Sequence, residues 1–237
     1  MKTEGSSGRV AVITGGFGAL GQAVIVAALD HGFNVAVVGH AAEPPTALAG
    51  RLGQSALLLG GVDLADEAAA NTAMRAVTSR FGRIDVLFNI AGGFRWIKMA
   101  DSHAADLEFL MRMNVQTTAN AIRAALPALM QSPAGRIVNV GALAAEKAAA
   151  GMGPYSASKA AVLRLTEALA EELKDAGVTV NAVLPSIIDT AQNRADMPKA
   201  DFSRWVSPSD LAEVMLFLAS EKARAITGAL IPVRGRV

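Results

Sequence analysis

Seven short apolar runs recur along the chain, at residues 10–13, 34–39, 55–59, 84–89, 136–140, 178–184 and 229–233. They are rich in Val, Ile and Leu. Between them the apolar positions change period: after the first run, Leu20, Val24, Ala27 and Ala28 fall at helical spacing. Longer helical stretches are expected at 66–81, 104–130 and 155–174. Continuous apolar strands alternating with helices predict an α/β domain, a doubly wound parallel sheet covered on both faces. Pro44, Pro45 and Pro208 mark turns or helix starts. The pattern shows no linker, repeat array or charge block, so residues 9–237 read as one domain. Residues 1–8, with Gly5-Ser6-Ser7-Gly8, read as a flexible leader or a remnant of cloning.

One stretch invites a different reading. Residues 10–29 contain no Asp, Glu, Lys or Arg and follow Lys2 and Arg9, as a signal peptide or membrane span would. Four glycines at its middle, each costing a helix about 1 kcal/mol relative to Ala, argue against that. Strand, turn and helix fit the segment better. Composition agrees with a packed domain: 52% of the 237 residues are hydrophobic and 18% charged. The 22 Lys and Arg nearly balance the 21 Asp and Glu, which leaves no nucleic-acid or anionic-membrane footprint. Absence of Cys excludes disulfides and thiolate chemistry and fits a reducing, cytoplasmic setting.

The first strand–helix turn reads Thr14-Gly15-Gly16-Phe17-Gly18-Ala19-Leu20-Gly21. Its Gly16-x-Gly18-x-x-Gly21 spacing permits a tight turn and brings backbone close to a pyrophosphate at the helix start. Asp63 and Leu64, after the third strand, would hold an adenine edge or begin the next helix. His40 stands where a carboxylate would select NAD and an Arg would select NADP, so that choice stays open. Tyr155 and Lys159, four apart at the start of a Pro154-led helix, share one face. An ammonium there is expected to lower the phenol's pKa and make Tyr155 an acid–base group.

These residues, with Asn89-Ile90-Ala91-Gly92, Asn114-Val115 and Pro185-x-x-x-x-Thr190, resemble the short-chain dehydrogenase/reductase family over nearly the whole chain. The resemblance implies a seven-stranded Rossmann-type sheet and a nicotinamide cofactor. It also implies a homodimer or homotetramer packed through two long central helices. Asn114 would hold a water in a proton relay, or simply bond backbone as a helix-interior amide. Ala91 and Gly92 would border the cofactor, and Ile188 and Thr190 would meet its carboxamide. Two positions depart from the family pattern: Ala19 replaces a glycine, and Ala142 replaces the usual catalytic Ser. Loss of an oxyanion donor typically costs about 2.7–4 kcal/mol of barrier, so ordinary ketone chemistry should suffer.

A narrower resemblance links the glycine turn, Ala91-Gly92-Gly93 and the loop 184–205 to the dihydropteridine reductases, which also carry Ala at the Ser position. Their acceptor is a conjugated ring that needs no alkoxide partner. On this resemblance the expected activity is NAD(P)H-dependent hydride transfer to a pterin-like or other conjugated C=N or C=O acceptor. The alternatives are a carbonyl or 3-oxoacyl reductase lacking the Ser, and a cofactor-binding regulatory protein. Residues 185–205 are expected to form a lid, with Arg194 and Asp201 as an ordering pair or as site residues. Trp96, Met152 and Trp205 would wall a flat substrate beside Ala142, or else anchor loops in the core. His31, His40 and His103 lack metal-ligand spacing, so no metal site is expected.

Overall fold

The computed structural model describes residues 8–49 and 52–237. Residues 1–7, the bulk of the expected leader, lie outside the described residues. Arg9 does not belong to a leader. Its buried guanidinium donates to the Ala219 and Ala134 carbonyls and sits over the Phe33 ring.

In chain order the elements are β1 (Val10–Thr14), α1 (Ala19–Asp30), β2 (Asn34–Val38), the one-turn α2 (Thr46–Ala49) and β3 (Ala56–Leu59). Next come α3 (Glu67–Phe81), β4 (Val86–Asn89), α4 (Ala104–Leu110), α5 (Thr117–Gln131) and β5 (Arg136–Val140). The chain closes with α6 (Gly153–Leu173), β6 (Thr179–Pro185), α7 (Ala191–Asp196), α8 (Pro208–Ala219) and β7 (Leu230–Val233). All seven strands pair in parallel in the order β3-β2-β1-β4-β5-β6-β7. The expected sheet is therefore present.

Strand periodicity accounts for the two cores. Ala11 and Ile13 face one side, where they pack with Val24 and Ile25 of α1 and Leu211 and Met215 of α8. Val10 and Val12 face the other, with Met74 and Val77 of α3 and Ala125 and Leu129 of α5. Caps fix the helix starts: Asp66 accepts from the Ala69 amide ahead of α3, and Ser207 accepts from Asp210 ahead of Pro208. No helix among the described residues is long and apolar enough to cross a membrane.

One element departs from the periodic reading. The expected helix over 104–130 is interrupted by a π-helical segment, Met111–Gln116, between α4 and α5. Two hydroxyls stabilise the widened turn, Thr117 donating to the Met113 carbonyl (2.7 Å) and Thr118 to that of Asn114 (2.8 Å). Such segments often accompany functional sites.

At the opposite end of the sheet, Asp85 is fully buried. It accepts from the Val10 amide (2.8 Å), from both prongs of Arg83 (2.8 and 2.6 Å) and from the Ser132 hydroxyl (2.5 Å). Burial pushes its carboxyl up, but those donors outweigh burial and hold it below the usual carboxylate range. Arg83 is 44% exposed and can turn to water, but without Asp85 the buried Val10 amide loses its acceptor. Asp85→Ala is therefore expected to lose about 1–3 kcal/mol in denaturant unfolding. In the native protein the Asp85 contribution is complete above the unfolded carboxylate pKa and is lost as pH falls through the depressed folded value.

Candidate active site

The strand order reverses between β1 and β4, and a cleft of about 410 Å³ opens at the carboxyl ends of these strands. Its walls are Gly15 and residues 17–21 of the glycine turn, with His40, Ala91, Gly92, Ile188 and Thr190, while Gly16 is buried behind them against Val37. Two positions of the turn require glycine. Gly15 has φ +64°, and a Cβ there would stand 2.8 Å from the Ala91 amide nitrogen. A Cβ on Gly21 would come within 2.4 Å of the Gly15 carbonyl oxygen. The start of α1 has no side-chain cap and no acid in its first turn, so its amides and dipole are left for an anion. These features fit a dinucleotide pyrophosphate. Ala19, in place of a family glycine, is exposed and strains nothing. Pro185, Asp63 and Leu64 lie outside the walls. Leu64 is core, and Asp63 accepts from the Ala65 amide (2.9 Å) rather than capping α3.

Tyr155, Lys159 and Asn114 converge beyond the cleft. Asn114, on the π-helical segment, is buried and fully engaged: its Oδ1 accepts from the Gly93 amide (2.9 Å). Its Nδ2 donates to the Gly93 carbonyl (3.0 Å) and to the Ser158 hydroxyl (2.9 Å). Ser158 in turn donates to the Tyr155 carbonyl (2.7 Å). The Lys159 ammonium donates to the Val140 carbonyl (2.8 Å) at the end of β5. Gly92 sits between these groups, where a Cβ would be 2.6 Å from Asn114 Oδ1 and 3.4 Å from Lys159 Nζ.

Ala142 is buried just past β5, ahead of the Leu143–Ala145 turn. The aromatic neighbour of Tyr155 is Phe94, which the sequence reading passed over. Its ring stands edge-on to the phenol at 4.9 Å and 84°, and the residue is 54% exposed. Trp96 is 57% exposed and anchored by its Nε1 donating to the Ala150 carbonyl, against a Gly151 that has no room for a Cβ. Met152 is half-buried at the start of α6. Trp205 is only 9% exposed and packs against Phe202 with the rings tilted at 52°, so it anchors the loop rather than sharing the open face. The lid segment carries α7. Arg194 pairs with Asp189 (2.5 and 2.7 Å), not with Asp201, which accepts from Ser203 instead.

The sequence profile of the short chain dehydrogenases matches residues 9–201. The chain belongs to the short-chain dehydrogenase/reductase family. It is 30% identical over 239 aligned residues to a 3-oxoacyl-[acyl-carrier-protein] reductase of Vibrio harveyi, covering 96% of each chain. An uncharacterized oxidoreductase of Staphylococcus aureus is 26% identical over 90% of this chain and 91% of its own. Among solved structures, a short-chain dehydrogenase/reductase of Brucella melitensis superposes with TM-score 0.90 at 29% identity, covering 99% and 98% of the two chains. ElxO, solved with NADP bound, gives 0.87 at 25% identity over 96% and 97%.

For this short-chain dehydrogenase/reductase, an NAD(P)-dependent oxidoreductase, the electrostatics of the Tyr–Lys pair differ from the expectation. Burial pushes the Tyr155 phenol up to about 12 rather than down. Burial pushes Lys159 down to about 8. The reason is geometric: Lys159 spends a proton on a backbone carbonyl, and desolvation disfavours the charged form of both groups. The native state therefore binds fewer protons than the unfolded chain at Lys159 between about pH 8 and 10.5, and stability rises with pH across that window. Below it the buried ammonium costs stability. Lys159→Met is expected to stabilise the fold at pH 7 by roughly 1–2 kcal/mol, the lost Val140 bond offsetting part of the gain. Thermal unfolding at pH 7 and pH 10.5 checks this, because the advantage should vanish at the higher pH.

Proposed function

We propose that the enzyme is a reductase for a planar, conjugated C=N or C=O acceptor of the pterin type. One observation carries the reading: a buried methyl, Ala142, stands at the family's Ser position while the aromatic Phe94 meets Tyr155. The glycine turn would hold reduced NAD or NADP, which when bound would supply hydride. Tyr155, raised to about 12, is a neutral phenol at physiological pH and donates the proton from its hydroxyl. Lys159 holds positive charge beneath it and takes up the cofactor ribose. Asn114, locked to Gly93 and Ser158, supports the path by which that proton is replaced. Ala142 offers no donor to a developing alkoxide. A conjugated acceptor spreads its charge over the ring, so the missing hydroxyl matters less than for a simple ketone. Phe94 and Trp96 supply exposed aromatic edges for a flat substrate. His40 neither repels a 2′-phosphate nor clamps a ribose diol, so both dinucleotides are candidates.

The likeness to the Vibrio harveyi reductase favours a second reading, a 3-oxoacyl or carbonyl reductase in which another group replaces the hydroxyl. In either reading the protein is cytoplasmic, supported by its lack of Cys. It is also a homodimer or homotetramer. The exposed Met111, Met130 and Leu165 on and beside the long helices α5 and α6 support that assembly.

Nicotinamide absorbance separates the readings. Quinonoid dihydropterin generated in situ is expected to turn over, with NADH and NADPH tested separately, while simple ketones and 3-oxoacyl thioesters stay slow. Tyr155→Phe should lower the pterin rate by about 10²–10⁴-fold. Ala142→Ser should raise ketone turnover by about 10²-fold and leave the pterin rate within a few-fold. Wild-type turnover of ketones or 3-oxoacyl thioesters with the pterin inert would overturn the first reading. Silence on every acceptor with the dinucleotide bound would instead indicate a regulatory protein.

A further inference from the structure

Residues 93–97 are tied to two different parts of the molecule. Gly93 bonds Asn114, and Arg95 leans onto α4, donating to the Asp106 carboxylate (2.7 Å) with its guanidinium 3.8 Å from the centre of the Phe109 ring. Trp96 and Ile97 are tied instead to the loop ahead of α6. The Trp96 Nε1 donates to the Ala150 carbonyl (3.1 Å) and the Ile97 amide to the Gly151 carbonyl (2.8 Å). Gly151 has φ +76°, and a Cβ there would stand 2.2 Å from Trp96 Cε2, so the indole sits directly against the Gly151 backbone. Phe94 falls between the two sets of ties. Its ring meets the Tyr155 phenol edge-on, a preferred aromatic geometry.

The place of the second tie matters. Ala150 and Gly151 lie just ahead of Gly153, where α6 begins, and Tyr155 sits in the first turn of that helix. The Ser156 amide donates to the Met152 carbonyl (2.7 Å), so the loop runs straight into the helical ladder. The bonds from Trp96 and Ile97 therefore join the Phe94 loop to the same rigid piece that carries the phenol. Phe94 is 54% exposed, so core packing does not fix its ring, and the ties on either side of it must. We propose that Trp96 is a positioning residue for Tyr155: latched to Ala150 and seated on Gly151, it holds the Phe94 ring against the phenol and keeps water from that side. The indole acts through Phe94, and Gly151 is glycine because the seat leaves no room for a side chain.

The latch refines the role given to Tyr155 above, but its test needs no acceptor, so the two readings are separable. Tyr155 is the only tyrosine in the chain. Labelling the protein with meta-fluorotyrosine therefore gives a fluorine signal from this site alone, and its shift between light and heavy water reports water access. Phe94→Ala is expected to move the signal and enlarge that solvent shift. Trp96→Ala and Gly151→Ala should move both in the same direction, by half the Phe94→Ala change or more. Trp96→Ala added to Phe94→Ala should change little further, because the latch works through the ring already removed. A signal unmoved by Trp96→Ala or by Phe94→Ala would overturn the proposal, as would effects that simply add in the double variant. Should Trp96→Ala fail to fold, Trp96→Phe, which keeps a ring and loses the N–H donor, replaces it. Its signal is expected part-way towards that of Phe94→Ala, and a signal at the wild-type position overturns the latch equally.

Discussion

The two-way bond between Asn114 and the backbone of Gly93 is the constraint on which the site depends. A buried carboxamide must find partners for both its ends, or leave a polar group desolvated. Here the partners are the amide and carbonyl of one residue on a different element, and the Ser158 hydroxyl. Reaching them sets the helix register. The helix widens into a π turn, and Thr117 and Thr118 take two carbonyls of that turn. Residue 92 must then lack a side chain, because a Cβ would strike the Asn114 oxygen. The β4 loop, the central helix and the start of α6 are thus fixed by one set of hydrogen bonds. The Gly93 loop so anchored carries Phe94 to the phenol of Tyr155.

Much of this was legible in the sequence, and the boundary of legibility is physical. All seven strands fall within a residue or two of their apolar runs, because a parallel sheet buried on both faces needs uninterrupted Val, Ile and Leu. The glycine turn was legible because close approaches at Gly15, Gly16 and Gly21 leave no room for a Cβ. The π segment was not. There the Asn114 side chain meets the backbone of Gly93, a contact between distant residues that periodicity does not record. Phe94 carries no pattern signal beyond following Gly92-Gly93. Arg112 pairs with Asp63 from a distant loop, and Arg194 pairs with Asp189, just ahead of its short helix, rather than with Asp201. The pKa of Tyr155 had the opposite sign because spacing i, i+4 places two residues on a face and says nothing of where an ammonium points or how dry the face is.

Burial of Lys159 illustrates how the site trades stability for chemistry. An ammonium that is almost fully enclosed and donates to the Val140 carbonyl costs free energy at neutral pH. The same enclosure pushes the Tyr155 phenol up to about 12. One packing arrangement therefore disfavours charge on both members of the pair. Reading either shift alone would miss that they share a cause.

The two halves of the cleft are built by different means, which bears on the loss of the Ser hydroxyl. The cofactor half is backbone: glycines, helix amides and close approaches that exclude almost any substitution. The region beside Tyr155 is side chain, with Phe94 and Trp96 on a loop tied to the rest by a few hydrogen bonds. Changing Ser to Ala at position 142 removes one donor and leaves the strand, the following turn and the dinucleotide walls as they are. The substitution is tolerated sterically because Ala142 is already packed and its backbone is extended. Its chemical cost falls on the developing oxygen alone. An acceptor that places its new charge in a ring, against aromatic edges, escapes that cost, and a lone ketone oxygen does not. The distribution of rigid backbone and replaceable side chains across the cleft thus lets the acceptor change while the hydride donor stays the same.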